Sequence, residues 1–242
     1  MVVREVLTVP RKSLMNKKYT DMYIRCKDGT HFEVHKAVVC SLCKFFENAC
    51  KKEWEQKIVA ENGTEMTLVN LADDEPFAVN AMIAFFYYHD YQSSRFSQNA
   101  PERLAAEWKA SEARCHIKIY VLADKFGIEG LKGTALAKLM ASLSSARPPD
   151  FHDVIRDVYN NTQDTDPIRT SISHYASRYA SLEFAADDGK FDKLVVELPE
   201  FGRDLAKVLY VSTATNTPSS SSNAIRGLST FTEPPSAHNA NS

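Results

Sequence analysis

The sequence has no apolar run approaching the roughly 18 residues that a membrane span needs. Its opening stretch, MVVREVLTVPRKSLMNKK, is broken early by Arg4 and Glu5 and makes a poor secretion leader. Cysteine is present only 5 times, an odd and modest count that argues against a disulfide framework. Glycine is scarce, with 8 in 242 residues, and no G-x-G-x-x-G, G-x-x-x-x-G-K-[ST] or G-x-S-x-G motif occurs. That removes the common phosphate-cradling loops and the nucleophile elbow. No charge excess exists either: 29 Lys plus Arg stand against 31 Asp plus Glu, a net charge of −2. A balance so near neutral leaves no electrostatic footprint for nucleic acid or an anionic membrane. What remains is an ordinary globular composition, 44% hydrophobic and 25% charged, in a length that suits one large domain or two small ones. These features describe a reduced, intracellular protein of the cytoplasm or nucleus.

Two clusters invite a chemical reading. His31-Phe32-Glu33-Val34-His35 resembles the zinc-protease H-E-x-x-H, but its Glu is third in the pentad. Its period is also that of a strand, whereas the zinc motif needs a helix to bring both imidazoles onto one face. Cys40 and Cys43 form a Cys-x2-Cys pair with Cys50 seven residues on, yet no second matched pair follows. Buried free thiols inside an apolar helical pattern are the better account. Asn62 and Asn160 head N-x-T triplets, read as chance matches without a secretion signal. No nucleophile–base pair or paired carboxylates stand out. The chain is therefore expected to be no enzyme, with no cofactor, no metal and no catalytic residue.

Apolar and polar residues alternate over Asp21–Cys26 and again over His31–His35, around the turn signal Asp28-Gly29, which predicts a β-hairpin. Two short helices follow in KAVVCSLCKFFENACKKEWEQ, with Ser41 as a cap between them. A third strand is expected over 64–71. Asp73-Asp74-Glu75-Pro76 opens a helix with an acidic cap and a proline in its first turn. Residues 92–101 read as a loop, and a long helix runs from Glu102 to Phe126, stopped by Gly127. A helix over Leu131–Leu143 and three more over 150–160, 167–184 and 199–211 complete the order. Strands come first and helices alone follow, which indicates an α+β fold with a helical extension. From Ser212 onward, 20 of 31 residues are Ser, Thr, Asn or Pro. A segment with so little apolar surface is expected to be a disordered tail. Five Lys or Arg against one Glu in the first 18 residues read as a solvated, flexible terminus.

Four blocks in order resemble the BTB/POZ family. They are Tyr19–Met22; Phe32–Ser41, with Phe45–Cys50; Met66–Leu68, Asp73-Asp74 and Phe77–Tyr88; and His116–Phe126. The long polar stretch before the last block resembles BTB proteins of filamentous fungi. The resemblance implies a BTB/POZ fold, a small sheet flanked by a cluster of helices. It divides the chain into a flexible terminus (1–17), the BTB/POZ domain (18–142), a helical extension (143–211) and the tail (212–242). It implies that Asp21 and His35 meet beneath the hairpin as a buried structural pair. It also implies a non-enzymatic protein-interaction module, with protein partners that include a cullin-type ubiquitin ligase scaffold served as a substrate adaptor. The alternative is a self-associating regulator linked to transcription, without a DNA-binding element of its own. Cullin binders of the family often carry hydrophobic-x-Glu after the Phe46 helix. The matching positions are Trp54, Glu55 and Gln56, where an amide replaces the charge. The family's domain-swapped dimers carry a strand and a helix before the Asp21 block, and the roughly 18 residues here leave no room for both, so a homo-oligomer of that kind is not expected.

Overall fold

The computed structural model describes residues 19–60, 63–91, 111–144, 147–186 and 188–215. The expected terminus over 1–17, the loop over 92–101, the first turns of the long helix, and the tail beyond 215 lie outside them.

Strand β1 (Met22–Cys26) and strand β2 (His31–Val34) form the expected hairpin, with Ile24 opposite Phe32 and Met22 opposite Val34. Gly29 takes the left-handed conformation that the turn demands, at φ +83°, and Asp28 accepts from the Thr30 N–H. Met22, Ile24 and Cys26 point inward and are buried. Helices α1 (Lys36–Leu42) and α2 (Lys44–Ala49) follow directly. Ser41 does not cap the second. Its hydroxyl turns back to the Val38 carbonyl, 2.8 Å away, and Cys43 occupies the cap position.

Strand β3 (Gln56–Val59) pairs antiparallel with β4 (Glu65–Leu71), which lies parallel to β1, in the order β2-β1-β4-β3. The expected third strand is thus the fourth, and the third comes from Gln56–Val59, where no strand was expected. Its four residues show no inward period, because this edge strand leaves Gln56, Lys57 and Val59 exposed.

Helix α3 (Pro76–Tyr88) opens with Pro76 at its first position, but its acidic neighbours do not cap it. Glu75 reaches Lys27 at 2.8 Å, and buried Asp74 binds the Lys125 ammonium at 2.7 Å. Helix α4 (Glu112–Lys125) ends as expected at Gly127, which sits at φ +65°. There the Ile128 N–H reaches the Ala123 carbonyl and the Gly127 N–H reaches that of Asp124, a Schellman close. Helix α5 (Glu129–Leu143) follows and packs against α4.

Among the described residues the extension has five helices rather than three: α6 (Phe151–Asn161), α7 (Pro167–Ser177), α8 (Ala180–Ala185), α9 (Lys190–Glu197) and α10 (Pro199–Thr215). The expected helix over 167–184 is broken near Arg178, and α10 continues past 211 into the start of the expected tail. Buried apolar side chains form one continuous core from Met22 to Leu205, so the extension is packed onto the first half. Polar links reinforce the joint. Arg114 on α4 donates to both carboxylate oxygens of Asp157 on α6, at 2.6 and 3.3 Å. Tyr120 donates to Asp166, the cap of α7, at 2.5 Å, and Lys132 reaches the same carboxylate at 3.1 Å.

Candidate interaction site

Helix α2 ends at Cys50, and the chain then tightens into a turn in which the N–H groups of Trp54 and Glu55 both donate to the Lys51 carbonyl. The turn projects the Trp54 indole, which is 71% exposed. A large aromatic held out by backbone hydrogen bonds presents contact area at little ordering cost.

Glu55 points the other way. Its Oε1 accepts from Thr67 Oγ1 at 2.5 Å and from Lys36 Nζ at 2.9 Å. These bonds, the Thr67 hydroxyl's first, hold its carboxyl below the usual range. Glu55 therefore anchors the turn to β4 and α1. Gln56 begins β3, exposed, and its Oε1 accepts from Asn70 Nδ2 at 3.3 Å. Of the three positions singled out from sequence, Trp54 and Gln56 thus face outward, and Glu55 secures the turn that carries them.

Asp21 and His35 do not form the buried pair expected of them. Both come to the start of α1, but each takes its own partner. Asp21 is exposed, and its Oδ1 accepts from the Lys36 backbone N–H at 2.7 Å. A carboxylate supplied from the residue before β1 thus satisfies one of the donors that a helix start leaves open. His35 is half-buried, with Nδ1 2.7 Å from the Tyr87 hydroxyl, and its backbone N–H donates to the same oxygen at 2.9 Å. The assignment that uses every group has the phenol donate to Nδ1. Burial, opposed by the His35 backbone hydrogen bond, pushes the Tyr87 phenol up to about 12.

The thiols also pair differently from their spacing. Cys43 is buried, and its sulfur points at the Phe126 carbonyl, 3.7 Å away. Cys40 and Cys50 are only half-buried, with their sulfurs 3.4 Å apart. His31, on β2, stacks on Tyr23 at 4.6 Å. Among the described residues, no cluster of three or more His, Cys, Asp or Glu could hold a metal ion. No described helix is long and apolar enough to cross a membrane.

One cleft lies beyond the sequence signals, a space of about 500 Å3 lined by residues that include Arg147, His152, Arg156, Glu183, Asp188 and Lys190. Most of its charges pair with one another, but Asp150, which also lines it, has a buried Oδ2 with no hydrogen-bond partner among the described residues. Glu183 accepts from Arg147 and His152, Arg156 from α6 reaches Asp153 and Glu197, and Lys190 pairs with Asp188. They come from two loops and three helices, so no sequence spacing announces them.

The BTB/POZ domain profile matches residues 11–143, more than half of the chain. The chain belongs to the BTB/POZ family. A BTB/POZ domain-containing protein of Acanthamoeba polyphaga mimivirus is 48% identical over 44 residues, which is 17% of this chain and 10% of the viral protein. The chain thus matches about a tenth of that relative's length. BTB/POZ domains mediate protein–protein interaction and oligomerisation, and this chain carries such a module. The four-stranded mixed sheet with its cluster of helices is that fold.

Proposed function

We propose that this BTB/POZ protein is a non-enzymatic adaptor that presents a substrate to a cullin-type ubiquitin ligase scaffold, with the turn at Trp54–Gln56 as its scaffold contact. The observation that carries this reading is the turn itself. An indole 71% exposed stands beside an exposed amide, on a loop fixed from beneath by Glu55. An aromatic anchor next to a hydrogen-bonding group is the composition of an interface hot spot. Gln56 retains hydrogen-bonding capacity but lacks the family's charge, so the contact is weak.

Calorimetry of the chain against the scaffold's N-terminal region tests the proposal. Gln56→Glu is expected to tighten binding and Trp54→Ala to weaken it. No detectable heat for wild type and both variants, with folding intact, would leave self-association as the function.

That second reading has its own support. Among the described residues the sheet ends in β2 on one side and β3 on the other, and β3 exposes Val59 at 67%. An open edge offers unpaired backbone groups to a second chain. It suits a self-associating regulator, including one linked to transcription. A sedimentation profile that shifts with concentration supports it. The likeness to BTB proteins of filamentous fungi is an expectation drawn from the polar stretch before His116, most of which lies outside the described residues.

A further inference from the structure

We propose that Cys40 and Cys50 are a modification site, a dithiol that closes to an intramolecular disulfide when the chain meets a hydroperoxide. Three observations carry this. The two sulfurs lie 3.4 Å apart, in contact with no atom between them. Both residues are half-buried, whereas Cys26, Cys43 and Cys115 are buried, so small oxidants reach this pair first. The pair also joins separate elements: Cys40 lies on α1, and Cys50 is the cap that ends α2. A disulfide needs the sulfurs at about 2.0 Å. Closure therefore brings the two sulfurs together from the 3.4 Å at which they now rest.

The chemistry balances with the oxidant named. One thiol loses its proton and attacks the peroxide oxygen, giving a sulfenic acid and releasing water. The second sulfur displaces the hydroxyl as a second water, and the S–S bond forms. Two thiols are thereby oxidised by two electrons, and hydrogen peroxide is reduced to two molecules of water. Lys36 lies one turn before Cys40 on α1, and its positive charge acts on both sulfurs. Burial, followed by the contact with Cys50, pushes the Cys40 thiol up to about 12. The thiolate is therefore scarce at neutral pH, and closure is slow there and faster in alkali. A closed bridge would staple α1 to the residue that precedes the Trp54 turn. The site itself stands whatever partner that turn binds.

The test is differential alkylation and peptide mapping of the full chain after exposure to hydrogen peroxide at pH 7 and pH 9. Loss of two hydrogens, a peptide cross-linked through Cys40 and Cys50, a faster reaction at pH 9, and reversal by dithiothreitol are expected. Cys43→Ser should retain the cross-link, and Cys40→Ser should lose it. The mapping needs only the wild-type chain, so a variant that fails to fold does not remove the test. Cross-linking through Cys43 instead would overturn the proposal. So would over-oxidation of Cys40 and Cys50 without a bond between them, or full alkylation of both after peroxide.

Discussion

The Tyr87 hydroxyl serves two groups of one residue, the backbone N–H and the ring nitrogen of His35, from inside the core, where Tyr87 is 1% exposed. Removing one member of such a set strands the others at the desolvation cost of a buried polar group. Tyr87→Phe is expected to destabilise the chain by about 1–3 kcal/mol in urea denaturation. A double-mutant cycle of His35→Ala with Tyr87→Phe should show coupling above about 0.5 kcal/mol, whereas Asp21→Ala with His35→Ala should be additive within about that figure. The reverse ranking would restore the direct Asp21–His35 pair. The sequence singled out both residues from their motif and their apolar neighbours. It could not identify the true partner, because Tyr87 lies 52 residues on within an apolar run where nothing separates a core tyrosine from a bonded one. Trp54 was legible for the opposite reason, since polar neighbours on every side mark it as exposed.

Among the elements, α4 carries a buried histidine on its inner face. His116 is 2% exposed, with Nδ1 2.8 Å from the Tyr91 hydroxyl, Glu112 from its own helix 3.6 Å from Nε2, and the Lys138 ammonium of α5 acting on it. Burial, and then Lys138, depress its pKa to about 4. The folded chain leaves this ring neutral down to about pH 4, whereas the unfolded chain protonates it near 6.5. Its share of stability is therefore intact above pH 6.5 and is lost as pH falls toward 4, up to about 3 kcal/mol. Urea denaturation at pH 7 and pH 4.5 should show a smaller loss for His116→Asn than for wild type, and equal losses would contradict it. A second element depends on Arg169, which is 5% exposed and donates to the Tyr159 and Thr162 carbonyls where α6 ends. Arg169→Leu leaves those carbonyls unpaired and should cost about 1–3 kcal/mol in thermal denaturation. Helices of this kind were legible in the sequence wherever a helix-end residue and a period agreed, as with the first-turn proline Pro76 and the stopping glycine Gly127. Strand β3 was not, because an exposed edge has no buried face to impose a period.

At the scale of the molecule, the family match ends at residue 143, but the core does not. Val154, Ile155 and Val158 of α6 are fully buried, and α6 packs on α4, inside the matched region. The helical pattern made the extension visible in the sequence. Its sharing of one core was not visible, since which face of α4 receives α6 is a tertiary fact that no local period encodes. Burying three such side chains contributes about 1.5–3 kcal/mol each, which is comparable with the whole net stability of a domain. A chain ended after Leu143 loses these contacts together with the Arg114–Asp157 and Tyr120–Asp166 bonds. Calorimetric unfolding of the chain ended at Thr215 should therefore give a single transition, with the calorimetric enthalpy equal to the van't Hoff value. The chain ended at Leu143 should melt at least several degrees lower, or without a cooperative transition, and should bind a hydrophobic dye through the uncovered face of α4. A shortened chain that melts cooperatively at the temperature of the longer one would make the extension an independent domain. The links between α4, α6 and α7 would then contribute nothing measurable to the BTB/POZ fold.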